Sequence, residues 1–95
     1  MLIELRTFRL AAGVDEATFL RADAQVQAWL SSRASFVRRT TARGGYDDRW
    51  LALTFWDDTA HADASEVREH GAAAAFDALV DPGSVRIERF ESLGS

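Results

Sequence analysis

The chain has 95 residues, a formal net charge of −4 and no cysteine. This acidic balance gives no general attraction to nucleic acid or to an anionic membrane, and the lack of thiols removes disulfides, thiolate catalysis and thiolate metal sites. A domain of this length buries only roughly 60–65% of the surface its unfolded chain exposes, so burial against a second copy would matter.

Leu2 to Leu10 alternates as a first strand, with Ile3, Leu5 and Thr7 on one face and Glu4, Arg6 and Phe8 on the other. The strand starts at once, with an acid at position 4 and no basic leader, so no signal peptide is expected. No apolar run approaches the ~20 residues of a membrane span, and a cytoplasmic protein is the expectation. Gly13 ends the strand, Asp15 stands where a helix N-cap is wanted, and apolar side chains at Phe19, Ala22, Val26, Trp29 and Leu30 predict a helix over about residues 15–31. After Ser31 and Ser32, Phe36 to Ala42 reads as a second strand. Arg43 to Asp48 is turn chemistry, so this strand forms a hairpin with a third, Trp50 to Trp56. Asp57 or Asp58 caps a second helix beginning near Thr59, with Ala60, Ala64 and Val67 as a narrow apolar stripe. Gly71 breaks or bends it, and Ala72 to Val80 is helical again before Asp81-Pro82-Gly83 turns the chain into a last strand, Val85 to Phe90.

This order, β-α-β-β-α-β, predicts one α+β domain over residues 1–95: a ferredoxin-like fold with a four-stranded antiparallel sheet and both helices on one face. The third strand is apolar on both faces, where a half-exposed antiparallel strand would alternate. Its parity turns Trp50, Ala52, Thr54 and Trp56 towards the helices and Leu51, Leu53 and Phe55 away from them. With Phe8 and Val37 added, the helix-free face is too apolar for a typical monomer, and a homodimer formed sheet to sheet is the expected assembly.

Three segments carry a resemblance to a known group: Phe36-Val37-Arg38-Arg39, Arg49-Trp50-Leu51 and Phe55-Trp56-Asp57-Asp58. Over about residues 2 to 90 the chain resembles the dimeric α/β-barrel superfamily and, within it, the antibiotic-biosynthesis-monooxygenase-like proteins. The resemblance implies two ferredoxin-like protomers with their sheets together and a pocket in each protomer between sheet and helices. The family's quinone-forming oxygenases keep a Trp at the position of Trp56, an Asn four residues before it and a Tyr six after it; this chain has Ala52 and Ala62 there. Its heme-degrading members use an Asn, a Trp and a His at positions matching Thr7, Ser65 and Ala75, so no heme and no other cofactor is expected.

On this reading the pocket is lined by Thr7, Trp29, Ala52 and Thr54, with Trp56, Arg38 and His70 as catalytic candidates. Trp56 either stacks on or hydrogen-bonds a small aromatic ligand, or it anchors the third strand in the core. Arg38, sharing parity with Phe36, either stabilises an enolate or phenolate in the pocket or pairs at the surface. Ala52 and Thr54 either leave a ligand cavity or receive Trp29 and Phe19. His61 and His70 titrate near neutrality without help, and His70, three residues beyond Val67, is the better placed general base; the alternative is an exposed helical His. Asp23 and Gln27 flank the buried stripe of the first helix and either reach the pocket mouth or face solvent. The Asp47-Asp48 and Asp57-Asp58 pairs have no third ligand at suitable spacing, so no metal site is expected. The implied chemistry is cofactor-independent oxygenation of an acidic phenol or enol; the alternative is a non-catalytic binding or structural homodimer.

Overall fold

A computed structural model describes residues 1–45, 47–57 and 71–93. The strands are β1 (Leu2–Arg9), β2 (Phe36–Arg43), β3 (Arg49–Trp56) and β4 (Arg86–Glu91), and the helices are α1 (Glu16–Leu30) and α2 (Gly71–Asp77). The sheet runs β2-β3-β1-β4 with every neighbouring pair antiparallel, which is the ferredoxin-like arrangement the element order implies. The second-helix start expected near Thr59 lies outside the described residues. No helix among them is long and apolar enough to cross a membrane.

Local chemistry accounts for the boundaries. Gly13 has a φ of 82°, a conformation that costs glycine little, and lets the chain leave β1 and re-enter as α1. Asp15 then caps α1, its Oδ1 accepting from the Thr18 backbone N–H at 2.7 Å. That bond holds the Asp15 carboxyl below its ordinary pKa, helped by the Thr18 hydroxyl and by Arg21 and opposed slightly by desolvation. At the far end, Ser31 Oγ donates to Gln27 O at 2.8 Å and Ser32 Oγ to Trp29 O at 2.6 Å, satisfying carbonyls of the last turn. In the β2–β3 connection Gly44 N donates to Arg49 O at 2.7 Å, and a Cβ on Gly44 would lie 3.1 Å from that oxygen, so a side chain there is crowded and the backbone would have to give by a few tenths of an ångström.

The core lies between the sheet and the two helices. Phe8, Trp50, Ala52 and Trp56 rise from the sheet to meet Phe19, Val26 and Leu30 of α1 and Ala73 and Phe76 of α2. Phe19 packs against Trp50 at 4.9 Å and Phe76 at 5.2 Å between centroids, and Phe8 meets Phe76 edge-on at 5.5 Å. The parity expected for β3 holds: Trp50, Ala52, Thr54 and Trp56 are buried beneath the helices.

One expectation about faces needs correction, and β2 departs from regular pairing. Phe8 belongs to the helix side, 1% exposed and directly opposite Trp50, so Glu4 and Arg6 lie beneath the helices as well. Val37 is the extra residue of a bulge in β2: Phe36 pairs with Trp56, Arg38 with Phe55, and Val37 stays 46% exposed. The helix-free face instead carries Ile3 and Leu5 of β1 opposite Phe55 and Leu53 of β3, with Phe90 of β4 beside Ile3.

Candidate functional site

The bulge decides which side chains reach the helix side. Without it, Phe36 and Arg38 would share a face; with it, Phe36 packs edge-on against Trp56 at 5.9 Å while Arg39 and Thr41 turn under the helices. The middle of the buried sheet face is therefore polar. Thr41, Ala52 and Arg6 form one row across β2, β3 and β1, and Arg39, Thr54, Glu4 and Arg89 form the next, reaching β4. Aromatic residues close both ends of this belt, Trp50 with Phe8 on one side and Trp56 with Phe36 on the other.

Above the belt lies a cavity of about 60 Å³. Its floor is Glu4, Arg6, Arg39, Ala52, Thr54 and Trp56; Val26 and Leu30 of α1 and Ala73 and Phe76 of α2 form its roof. An apolar site of about 150 Å³ is needed to hold a benzene ring, so the space as it stands has room for a few waters.

Two arginines dominate its electrostatics. Arg39, with its side chain 5% exposed, donates from Nη1 to Asp23 Oδ1 at 2.7 Å, and Thr41 Oγ1 donates to the same oxygen at 2.9 Å. Arg6 donates from Nη2 to Asp77 Oδ1 at 2.7 Å in a more exposed pair. Both guanidinium carbons sit over the Phe76 ring, 5.5 Å from its centroid for Arg6 and 5.6 Å for Arg39. Arg89 Nε reaches Glu4 Oε2 at 3.3 Å.

One buried donor on the cavity wall lacks an acceptor among the described residues. Arg6 Nε is buried without a hydrogen-bond partner, and neither the Trp56 indole N–H nor the Thr54 hydroxyl bonds a described residue. A buried polar group left unsatisfied costs about 1–3 kcal/mol, and buried Trp N–H groups normally find a partner.

Of the residues expected from sequence, Ala52, Thr54 and Trp56 come together on this wall. Thr7 does not: it pairs with Leu51 on the helix-free face, because Phe8 takes the opposite parity. Arg38 is also on that face, its guanidinium 4.4 Å from the Phe55 centroid, displaced from the cavity by the bulge. Trp29 packs at the edge of the core beneath the Arg33 guanidinium, 5.4 Å away, and does not line the cavity. Asp23 reaches the site as the partner of Arg39. His61 and His70 lie outside the described residues. Glu4, Arg6 and Arg39 escaped the sequence reading; their signal is the matched spacing of Glu4-x-Arg6-x-Phe8 and Arg39-x-Thr41, polar pairs that share a face with a buried aromatic or threonine. Among the described residues no group of three His, Cys, Asp or Glu side chains is arranged to hold a metal ion.

The chain matches no protein-family model and no curated protein sequence. Its fold matches several solved structures closely. SnoaB, a cofactor-independent oxygenase from Streptomyces nogalater, superposes with a TM-score of 0.77 at 19% identity, covering 99% of this chain and 94% of its own. PA3566 from Pseudomonas aeruginosa gives 0.75 at 19% identity, over 98% of this chain and 94% of its own. A structure described as an antibiotic biosynthesis monooxygenase gives 0.73 at 10% identity, over 99% and 100%. At these identities the likeness is one of fold, and the chain carries the ferredoxin-like fold of the antibiotic-biosynthesis-monooxygenase-like proteins.

Proposed function

We propose that this chain is a cofactor-independent monooxygenase-like protein acting on a small aromatic or enolisable substrate in the cavity between sheet and helices. The observation that carries the reading is the convergence of Trp56, Thr54, Arg6 and Arg39 on one cavity wall with hydrogen-bond donors left over. The chemistry needs little else. A substrate ionised in the site becomes electron-rich enough to reduce dioxygen itself; one oxygen atom then enters the carbon as a carbonyl and the other leaves as water, the four electrons coming from two C–H bonds of an activated methylene, or from one C–H and the O–H of a phenol. The protein's part is to stabilise the anion with fixed donors and to keep bulk water out. Arg6 and Arg39 supply positive charge, and Trp56 a planar surface with an N–H at its edge. Two protomers joining their helix-free sheet faces through Leu5, Leu53 and Phe55 complete the reading, since those side chains are only partly covered within one chain.

The small cavity supports a second reading, a non-catalytic small-molecule-binding or structural homodimer. Ala52 and Ala62, standing where quinone-forming oxygenases keep their Asn and Tyr, point the same way. Oxygen uptake with a panel of single-ring hydroquinones, naphthols and anthrones separates the two. A rate above the protein-free background that falls at least tenfold in Trp56→Phe and Arg39→Gln supports oxygenation. Background rates throughout, with substrate analogues still binding, select the non-catalytic dimer.

A further inference from the structure

We propose, building on the monooxygenase-like reading of this cavity, that Glu4 is the base that takes a proton from the bound ligand and that Arg6 holds the oxyanion left behind. Glu4 is the one carboxylate among the described residues that line the cavity. It stands directly across from Thr54 on β3 and two residues before Arg6 on the same face of β1. Arg89 occupies its Oε2 at 3.3 Å, whereas Oε1 accepts no hydrogen bond from a described residue. Arg6 is the complement. Asp77 binds its Nη2, while its buried Nε–H has no acceptor. One acidic ligand satisfies both vacancies, its proton directed at Glu4 and its developing negative oxygen at Arg6, with the Thr54 hydroxyl and Trp56 N–H as further donors.

The step balances without an oxidant. The acidic C–H or O–H bond of the ligand breaks, its electron pair stays on the ligand as an enolate or phenolate, and the proton forms a new O–H bond on Glu4. Nothing is oxidised until dioxygen is met. The arrangement also assigns a ligand class. A cavity of about 60 Å³ is too small for an aromatic ring as it stands, so among acidic ligands it favours the most compact enolisable ones, such as 1,3-dicarbonyl compounds. The Phe76 ring, within 5.6 Å of both guanidinium groups, forms part of the roof, so a flat, conjugated anion meets an aromatic surface as well as positive charge.

Proton transfer can be read apart from oxygenation. Ethyl acetoacetate is placed in deuterium oxide at low buffer concentration, without oxygen, and loss of its central methylene proton signal is followed by NMR with and without protein. The wild-type protein is expected to accelerate exchange above the protein-free rate. Glu4→Gln is expected to remove that increment about 100-fold or more, the usual range for loss of a general base, with Glu4→Asp restoring part of it. Arg6→Gln should reduce it while Arg21→Gln, on the outer face of α1, leaves it unchanged. No acceleration by the wild-type protein, or an increment undiminished in Glu4→Gln, overturns the assignment. Exchange without any oxygen uptake in air leaves the Glu4 assignment standing and removes the oxygenase reading; oxygen uptake insensitive to Glu4→Gln does the reverse.

Discussion

Arg39 and Asp23 form a buried ion pair that joins strand β2 to helix α1: Nη1 donates to Oδ1 at 2.7 Å, with the two side chains 5% and 14% exposed. Thr41 adds a second donor to the same carboxylate oxygen, so the pair is both desolvated and hydrogen-bonded. Breaking such a pair from one side strands a charge, which is far costlier than removing both partners. Asp23→Ala is therefore expected to destabilise the protein by about 3 kcal/mol, read from the urea midpoint, and Asp23→Leu combined with Arg39→Met by less than either single change. Equal and additive losses in the single and double variants would contradict a coupled pair.

Phe8 tests the parity of β1. At 1% exposure, with Phe19 and Phe76 in ring contact, it is a central core residue, and Phe8→Ala should cost about 3–5 kcal/mol. Thr7, on the opposite face, should accept Ser with a change below about 0.5 kcal/mol. Thermal melts of the two variants would expose an inverted strand at once, because the large and small effects would exchange places.

The contrast between β1 and β3 shows how far pattern alone reaches. In β3 the small residues Ala52 and Thr54 share a face with two tryptophans, and length, turns and apolar content all agree on which side meets the helices. In β1 they compete: the face that holds Phe8 also holds Glu4 and Arg6, so by polarity it resembles the outside. It is inside because Phe8 is anchored in the core, which carries Glu4 and Arg6 onto the cavity wall with it. The Val37 bulge hid the rest. A single unpaired residue reverses the parity of everything after it, turning Arg39 inward and Arg38 outward, and nothing in Phe36-Val37-Arg38-Arg39 distinguishes that register from a regular one.

The cap of α1 gives a pH-dependent prediction. Asp15 accepts the Thr18 backbone N–H in the folded state, which holds its carboxyl below the value it has in the unfolded chain. Its contribution to stability is complete above the unfolded-state value, about pH 4, and is lost as pH falls through the lower folded-state value. Asparagine caps a helix about as well but does not titrate in this range. The melting-temperature difference between wild type and Asp15→Asn should thus be flat from neutrality down to about pH 5 and should shift against the wild type on further acidification. A difference that stays constant to pH 2 would remove Asp15 from the acid response.

The proposed sheet-to-sheet dimer is tested at Leu53. It lies opposite Leu5 in the middle of the helix-free face, flanked along its own strand by Leu51 and Phe55, and is only partly covered within one chain. In a two-fold sheet-to-sheet dimer the same patch meets itself, so one substitution places two like charges in a single dry interface. Leu53→Asp is expected to abolish the dimer, giving either a 10.5 kDa monomer by light scattering or insoluble protein. Leu20→Asp, at a position 43% exposed on α1, introduces the same charge on the outer surface and should leave the mass unchanged. A wild-type protein that runs as a monomer, or a Leu53→Asp variant that remains a soluble dimer, would show that this face is covered by something other than a second copy of the chain.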